Sequence, residues 1–339
     1  MRENTASEPS LLAATGLTRT YRGGKGVFDI TLNLAAGEVL GLMGPNGSGK
    51  STLLRVLATA ASPTAGRISW FGNTNPRLPS LRRRLGVMLD QASHFDKMTG
   101  YQNAWFFARQ FGLAPELARD RLDELFRWSG LLEARDQLVG EYSLGMKRKL
   151  NLVEALVHRP SILLLDEPTL ALDYRAELDL IERLQLLSLT GTAVLLATND
   201  VHLAERICDR VIFLHQGRAI REGHVPELLT ELAGFKEVQL QMNSPIELES
   251  LRALPAVEAA NVDGDTVHIV LARGANPAQV LAVLNGTADL VSNMRVRRPN
   301  LGDLFLKLTG EALPVADDTR AFPHRGALMT RAPFHTGAR

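Results

Sequence analysis

Short segments of alternating hydrophobic and polar residues open the chain at 11–17, 28–34 and 67–71, each broken off by glycines, and this period of two predicts strands. Between them, 39–43 is a continuous apolar run ending in a glycine-rich loop. Residues 51–60 follow with Leu53, Leu54 and Leu57 at helical spacing. From 101 to 140 the pattern turns helical, with Trp105, Phe106 and Ala108 and then Leu122, Leu125 and Phe126, which predicts a helical insertion. Apolar runs return at 162–165, 193–197 and 211–214, separated by helical stretches at 174–188 and 201–208. Runs of this kind, alternating with helices, predict parallel strands buried on both faces in a wound α/β core. After Gly234 the register becomes strand (237–242), helix (246–254), two strands (257–262 and 266–271) across Asp263-Gly264-Asp265, helix (277–284), strand (290–296) and helix (301–309). That order predicts a small split βαβ unit.

The organisation expected is a flexible start at 1–10, an α/β body at 11–235 with its helical part at about 95–150, a small α+β domain at 236–310, and a disordered tail at 311–339. With 339 residues, 45% hydrophobic and 22% charged, the chain is neither disordered nor fibrous, and its length suits one large domain plus one small. Thirty-eight basic and 37 acidic side chains leave +1, which gives no field of the kind nucleic-acid binders use. The clusters Arg82-Arg83-Arg84 and Arg295, Arg297, Arg298 are expected to be solvated faces. A single cysteine, Cys208, excludes an internal disulfide and is expected as a small buried hydrophobe. No run approaches the ~20 apolar residues of a membrane span, and the N-terminus has no secretory-signal pattern, so a cytoplasmic protein is expected.

Chemistry is concentrated in two places. Gly44-Pro45-Asn46-Gly47-Ser48-Gly49-Lys50-Ser51, with Thr52 behind it, satisfies the phosphate-loop pattern between a strand and a helix. Its glycines let backbone N–H groups wrap a triphosphate, the helix N-terminus adds positive potential, Lys50 is expected to reach the β- and γ-phosphates, and Ser51 to ligate Mg²⁺. The 162–165 strand ends in Asp166-Glu167. A carboxylate there is placed to hold Mg²⁺, and Glu167, one residue on, to accept a proton from the attacking water.

Ser143-Leu144-Gly145-Met146 resembles the signature motif of ATP-binding cassette (ABC) proteins, with Leu144 and Met146 departing from the common Ser-Gly-Gly-Gln form in the manner of the drug-export branch. Tyr21 resembles the aromatic that stacks on adenine, Gln91 the glutamine that senses Mg²⁺ and water near the membrane partner, and Leu170-Ala171-Leu172-Asp173 the loop that crosses the dimer interface. The similarity covers about 11–235, and 299–306 also resembles the C-terminal extension of daunorubicin-resistance-type exporters. The resemblance implies a phosphate-loop NTPase core with an antiparallel β subdomain and a helical insertion, plus a small α+β C-terminal domain. It also implies ATP and Mg²⁺ as cofactors, Ser143 and Gly145 as donors to the γ-phosphate of the opposite subunit's nucleotide, and closure of two cassettes on ATP. The partners it implies are an integral-membrane permease and a second cassette, identical or different, at the cytoplasmic face of the membrane, with no nucleic acid.

One departure bears on catalysis. In Ala197-Thr198-Asn199-Asp200 the family has a histidine directly after the threonine, and here Asn199 takes that place, with His202 three residues on, about one helical turn away. Asparagine can donate to phosphate but carries no charge. The expectation is an export ATPase slowed at Asn199; the alternatives are a regulatory cassette with little hydrolysis and a soluble cassette of DNA repair or translation. Against the last, no sustained heptads separate Lys50 from Asp166, and only one cassette is present.

Overall fold

The computed structural model describes residues 10–90, 94–243, 248–277 and 291–313. β1 (Leu12–Thr20), β2 (Gly26–Leu34), β3 (Val39–Met43) and β4 (Ala65–Trp70) open the chain. The three with alternating burial form an antiparallel sheet in the order β2-β1-β4. The apolar run β3 instead enters a six-stranded sheet with β5 (Leu85–Met88), β6 (Ile162–Asp166), β7 (Ala193–Thr198), β8 (Arg210–His215) and β9 (Arg218–His224), ordered β5-β6-β7-β3-β8-β9. All neighbours are parallel except the β8-β9 hairpin. Every residue of β3, β6 and β7 is buried, which is why these strands read as unbroken apolar runs rather than as alternation.

The two faces of this sheet feed two cores. One holds Leu40, Leu42, Leu164 and Leu195 under α1 (Lys50–Leu57) and the antiparallel sheet. α1 stops short of the predicted 60, because Thr59 turns into the left-handed region (φ 61) and the Trp70 indole donates to the Leu57 carbonyl (2.8 Å). A short α2 (Pro79–Arg82) precedes β5. The other face carries the insertion: α3 (Gly100–Gln110), α4 (Pro115–Trp128) and α5 (Leu144–Leu156), packed through Ala104, Leu122, Phe126 and Leu152. α6 (Tyr174–Leu189), α7 (Val201–Ile207) and α8 (Val225–Glu231) complete it. Cys208 is buried against this sheet, as expected of a small hydrophobe.

Beyond 235, β10 (Lys236–Met242), α9 (Leu248–Arg252), β11 (Val257–Asp263), β12 (Thr266–Leu271) and β13 (Val291–Arg297) build an antiparallel sheet ordered β11-β12-β10-β13 over a small core of Val238, Leu240, Leu251 and Ile269. The helix expected at 277–284 lies, but for its first residue, outside the described residues. The last helix, α10 (Leu301–Thr309), starts at a capping box in which the Asp303 amide donates to Asn300 Oδ1 (3.1 Å) and the Asn300 amide to Asp303 Oδ2 (2.6 Å). Its apolar side does not join the small core: Leu301, Leu304 and Phe305 enter the cluster of Phe213, Val225 and Leu228, with Phe305 5.8 Å from Phe213.

Of the expected tail, residues 311–313 are described: Leu313 is buried in that same cluster and His215 Nε2 lies 3.2 Å from Glu311 Oε2, because α10 carries the chain back against the α/β body; 314–339 lie outside the described residues, as do 1–9. Arg297, by contrast with what its basic cluster predicts, is not on a solvated face. Its guanidinium bridges Glu237 and Asp303, two buried carboxylates that no sequence period reveals.

Candidate active site

β3 delivers the chain to the Gly44–Thr52 loop, and the loop delivers it to α1. Space dictates the glycines. A Cβ on Gly44 would lie 2.2 Å from the Leu214 carbonyl, and one on Gly49 (φ +109) would lie 2.7 Å from Val27 Cγ1. Asn46 and Gly47 are exposed at the tip, Pro45 is half-buried behind them, and Ser48 is buried with its hydroxyl unpartnered. No side chain caps α1, so the first-turn N–H groups face the loop cavity with the helix dipole behind them, the ordinary arrangement for an anion. Ser51 and Thr52 stand half-buried on that turn.

Lys50 is buried and curls back over the loop, donating to the Gly44 carbonyl (2.6 Å) and the Pro45 carbonyl (3.3 Å), with Glu167 Oε1 3.6 Å from its ammonium. Burial lowers its pKa, and the charges of Glu167 and Asp166 pull the other way. Glu167 follows β6 in a left-handed conformation (φ 45) that a glutamate adopts only under constraint; its amide donates to the Ala197 carbonyl (2.9 Å). The Asn199 amide donates to Glu167 Oε2 at 3.4 Å, so the backbone of the departing position is already in contact with the carboxylate. Desolvation raises the pKa of Glu167 against the pull of Lys50, which moves it toward the range useful to a general base.

The second set of predicted residues sits on two helix starts. Ser143 caps α5, accepting from the Met146 amide (3.2 Å), and Asp173 caps α6, accepting from the Ala176 amide (2.9 Å). The two starts touch: a Cβ on Gly145 would lie 2.7 Å from the Ala171 carbonyl. Leu144, Leu170 and Tyr174 are exposed around this junction.

Residues 27–170 match the ABC transporter family. A Nod factor export ATP-binding protein I of Rhizobium sp. (strain N33) is 35% identical over 299 residues, covering 88% of this chain and 96% of that protein. The daunorubicin/doxorubicin resistance ATP-binding protein DrrA of Streptomyces peucetius is 36% identical over 313 residues, 91% of this chain and 94% of that one. The chain belongs to the ABC transporter family. Among solved structures, an ATP-binding subunit of an ABC transporter superposes with TM-score 0.61 at 29% identity over 66% of this chain and 93% of its own. A dimeric ATP-binding cassette in a post-hydrolysis state with ADP and Pi superposes at 0.58 and 26%, over 63% and 98%. The wound sheet, antiparallel subdomain and helical insertion are therefore those of an ABC ATPase.

Whether the cassette's residues suit Mg²⁺ is tested by Asp166. It is 1% exposed, and neither of its carboxylate oxygens has a hydrogen-bond partner of good geometry, although the Ser51 hydroxyl lies close enough to favour its charged form. Burial raises its pKa. A buried carboxylate left without donors, beside a serine hydroxyl at a helix N-terminus, is a hard oxygen donor set that a divalent cation would complete. Asp166 and Ser51 thus fit the metal. Gln91, the third expected ligand and a catalytic candidate, lies outside the described residues. Tyr21 is exposed just after the end of β1, with the Arg19 guanidinium 4.8 Å from its ring. Sequence reasoning missed Thr198. Its hydroxyl accepts from the Asp200 amide (2.9 Å) and also favours the charged form of Glu167, so it links the general-base candidate to the Asn199 turn. A polar residue closing the buried 193–197 run was the signal available.

Proposed function

We propose that this chain is the ATP-hydrolysing subunit of a membrane exporter of drugs, antibiotics or related lipid-like compounds. The observation that carries this is the cluster of buried Lys50 and Asp166 with half-buried Glu167 under an uncapped α1, in a chain similar over about nine-tenths of its length to a Nod factor export ATP-binding protein and a daunorubicin/doxorubicin resistance ATP-binding protein. Lys50, the loop amides and the α1 N-terminus bind the phosphates; Asp166 and Ser51 hold Mg²⁺, which when bound neutralises charge on the phosphoryl oxygens. Glu167 accepts the proton of the attacking water, and Asn199 and Lys50 line the reacting end; Gln91 keeps the Mg²⁺- and water-sensing role that the family resemblance implies. Ser143, Gly145 and Asp173 face the nucleotide of a second cassette, Tyr21 the adenine.

The permease would seat in the cavity of about 540 Å³ bounded by Arg82, Met88, Phe107, Phe111 and Glu154, between the β5 edge and the insertion. Phe107 lines this cavity, while Trp105, two residues earlier, packs on Tyr101 (6.1 Å) inside the insertion. Among the described residues no helix is long and apolar enough to cross a membrane.

Copurification with a permease, followed by ATP-driven efflux that Glu167→Gln abolishes, tests the reading; efflux that survives this change rules it out. A second reading, a cassette with little hydrolysis, is favoured by Asn199 alone. The exporter reading expects Asn199→His to raise phosphate release by about tenfold or more, since a charged donor replaces a neutral one at the γ-phosphate. An unchanged rate would show that the position does not limit turnover.

A further inference from the structure

Asn199 follows β7 directly, and the next residue caps α7, with Asp200 Oδ1 accepting from the Leu203 amide (3.0 Å). The other side of this turn is walled by the C-terminal part of the chain. The Leu301 amide at the start of α10 donates to Glu205 Oε1 (2.8 Å) across 96 residues of sequence. One turn of α7 earlier, Val201 Cγ2 approaches so closely that a Cβ on Gly302 would lie 3.1 Å from it. Asn199, Asp200 and His202 face Gln239, His268 and Arg297 across a cavity of about 50 Å³. The α10 start is itself held by charge: Arg297 bonds Asp303 Oδ2 (3.0 Å) and reaches Glu237, which also receives Gln239 Nε2 (3.1 Å) and His268 Nδ1 (2.9 Å). Glu237 and Asp303 are 0% and 3% exposed, so breaking the clamp leaves buried polar groups without their partners.

We propose that the start of α10, through Glu205 and Gly302, is a positioning device for the Asn199 turn: it fixes the distance between Asn199 and the nucleotide and so sets the hydrolysis rate without taking part in nucleotide binding. The phosphate loop and α1 lie across β3 and are reached by none of these contacts. Glu205 and Gly302 act through Asn199. The inference rests on the reading of Asn199 as facing the γ-phosphate.

The test uses the purified full-length chain and a double-mutant cycle. Glu205→Ala, which removes the acceptor of the Leu301 amide, and Gly302→Ala, which wedges Val201, are each expected to lower kcat about threefold to tenfold while the nucleotide Kd stays within about twofold. Glu205→Gln, which keeps an acceptor oxygen, is expected to restore kcat. In an Asn199→Ala background neither change lowers kcat further, and amide exchange across 199–207 quickens in Glu205→Ala even without nucleotide. Effects that multiply with that of Asn199→Ala, unchanged kcat in both single variants, or unchanged exchange overturn the proposal. Should Asn199→Ala by itself leave kcat unaltered, the reading of Asn199 fails and the proposal falls with it, a result distinct from simple multiplication.

Discussion

At the residue scale, the site is a set of largely buried groups in which burial disfavours the charged forms of Lys50, Asp166 and Glu167. Asp166 and Glu167 both have pKa values raised by burial. A carboxyl group whose folded-state pKa exceeds its unfolded value contributes most to stability below the unfolded value, near 4. That contribution is lost as pH rises through the folded one. The nucleotide-free protein is therefore expected to lose stability as pH climbs from about 4 toward neutrality at these two positions. Asp166→Asn should flatten that slope and raise the melting temperature by the equivalent of about 1–2 kcal/mol near neutral pH, while abolishing the further rise that Mg²⁺ and ATP give the parent. Thermal scans across pH, with and without Mg-ATP, measure both effects; a nucleotide-free Asp166→Asn variant less stable than the parent would remove the case for an uncompensated carboxylate. Glu167→Gln is expected to keep ATP affinity and to cut single-turnover phosphate release by about 10²–10⁴-fold, the usual worth of a positioned general base. The phosphate loop and Asp166-Glu167 were legible in sequence because steric and electrostatic demands there admit few residue types. Thr198 and the Arg297 bridge were not, since a threonine ending a strand and an arginine in a basic cluster are ordinary until distant carboxylates are placed beside them.

At the element scale, legibility followed burial. β3, β6 and β7, buried along their whole length, coincide with the apolar runs to within a residue, whereas α1 ended early because its limit is set by Thr59 and by an indole thirteen residues downstream of Leu57. Periodicity records which side of an element meets the core, not which distant group satisfies its last carbonyl. The junction of α5 with the loop before α6 has the same character: Ser143 and Asp173 are recognisable caps, but the fit of Gly145 under the Ala171 carbonyl is a matter of 2.7 Å. Gly145→Ala is expected to push these two helix starts apart while leaving the phosphate loop intact. ATP binding by the monomer should then be unaltered, with ATP-dependent association of two chains weakened at least tenfold; sedimentation at matched nucleotide occupancy decides it, and an undiminished dimer would separate the junction from the interface.

At the scale of the whole molecule, the chain leaves the α/β body after α8, builds the β11-β12-β10-β13 sheet, and returns through α10 to the larger core. The small sheet has its own cluster around Val238 and Ile269, yet Phe305, fully buried, belongs to the cluster of Phe213 and Val225. Burying a phenylalanine that links two parts of a chain couples their unfolding, because the ring is paid out to solvent when either part lets go. Phe305→Ala should therefore cost about 3–5 kcal/mol, the range for emptying a packed aromatic site. Because Phe305 joins the two parts, the loss should be visible in the stability of the α/β body and not only in that of the C-terminal sheet. Calorimetry of the parent is expected to give one transition covering both parts, and Phe305→Ala to split it, with a lower-melting component from the C-terminal sheet. Two resolved transitions in the parent would mean that α10 rests on the body without coupling to it, and a single unshifted transition in the variant would mean that the ring's packing contributes little. The sequence of 299–306 could suggest that this stretch mattered, but only the return of α10 to Phe213 gives the reason.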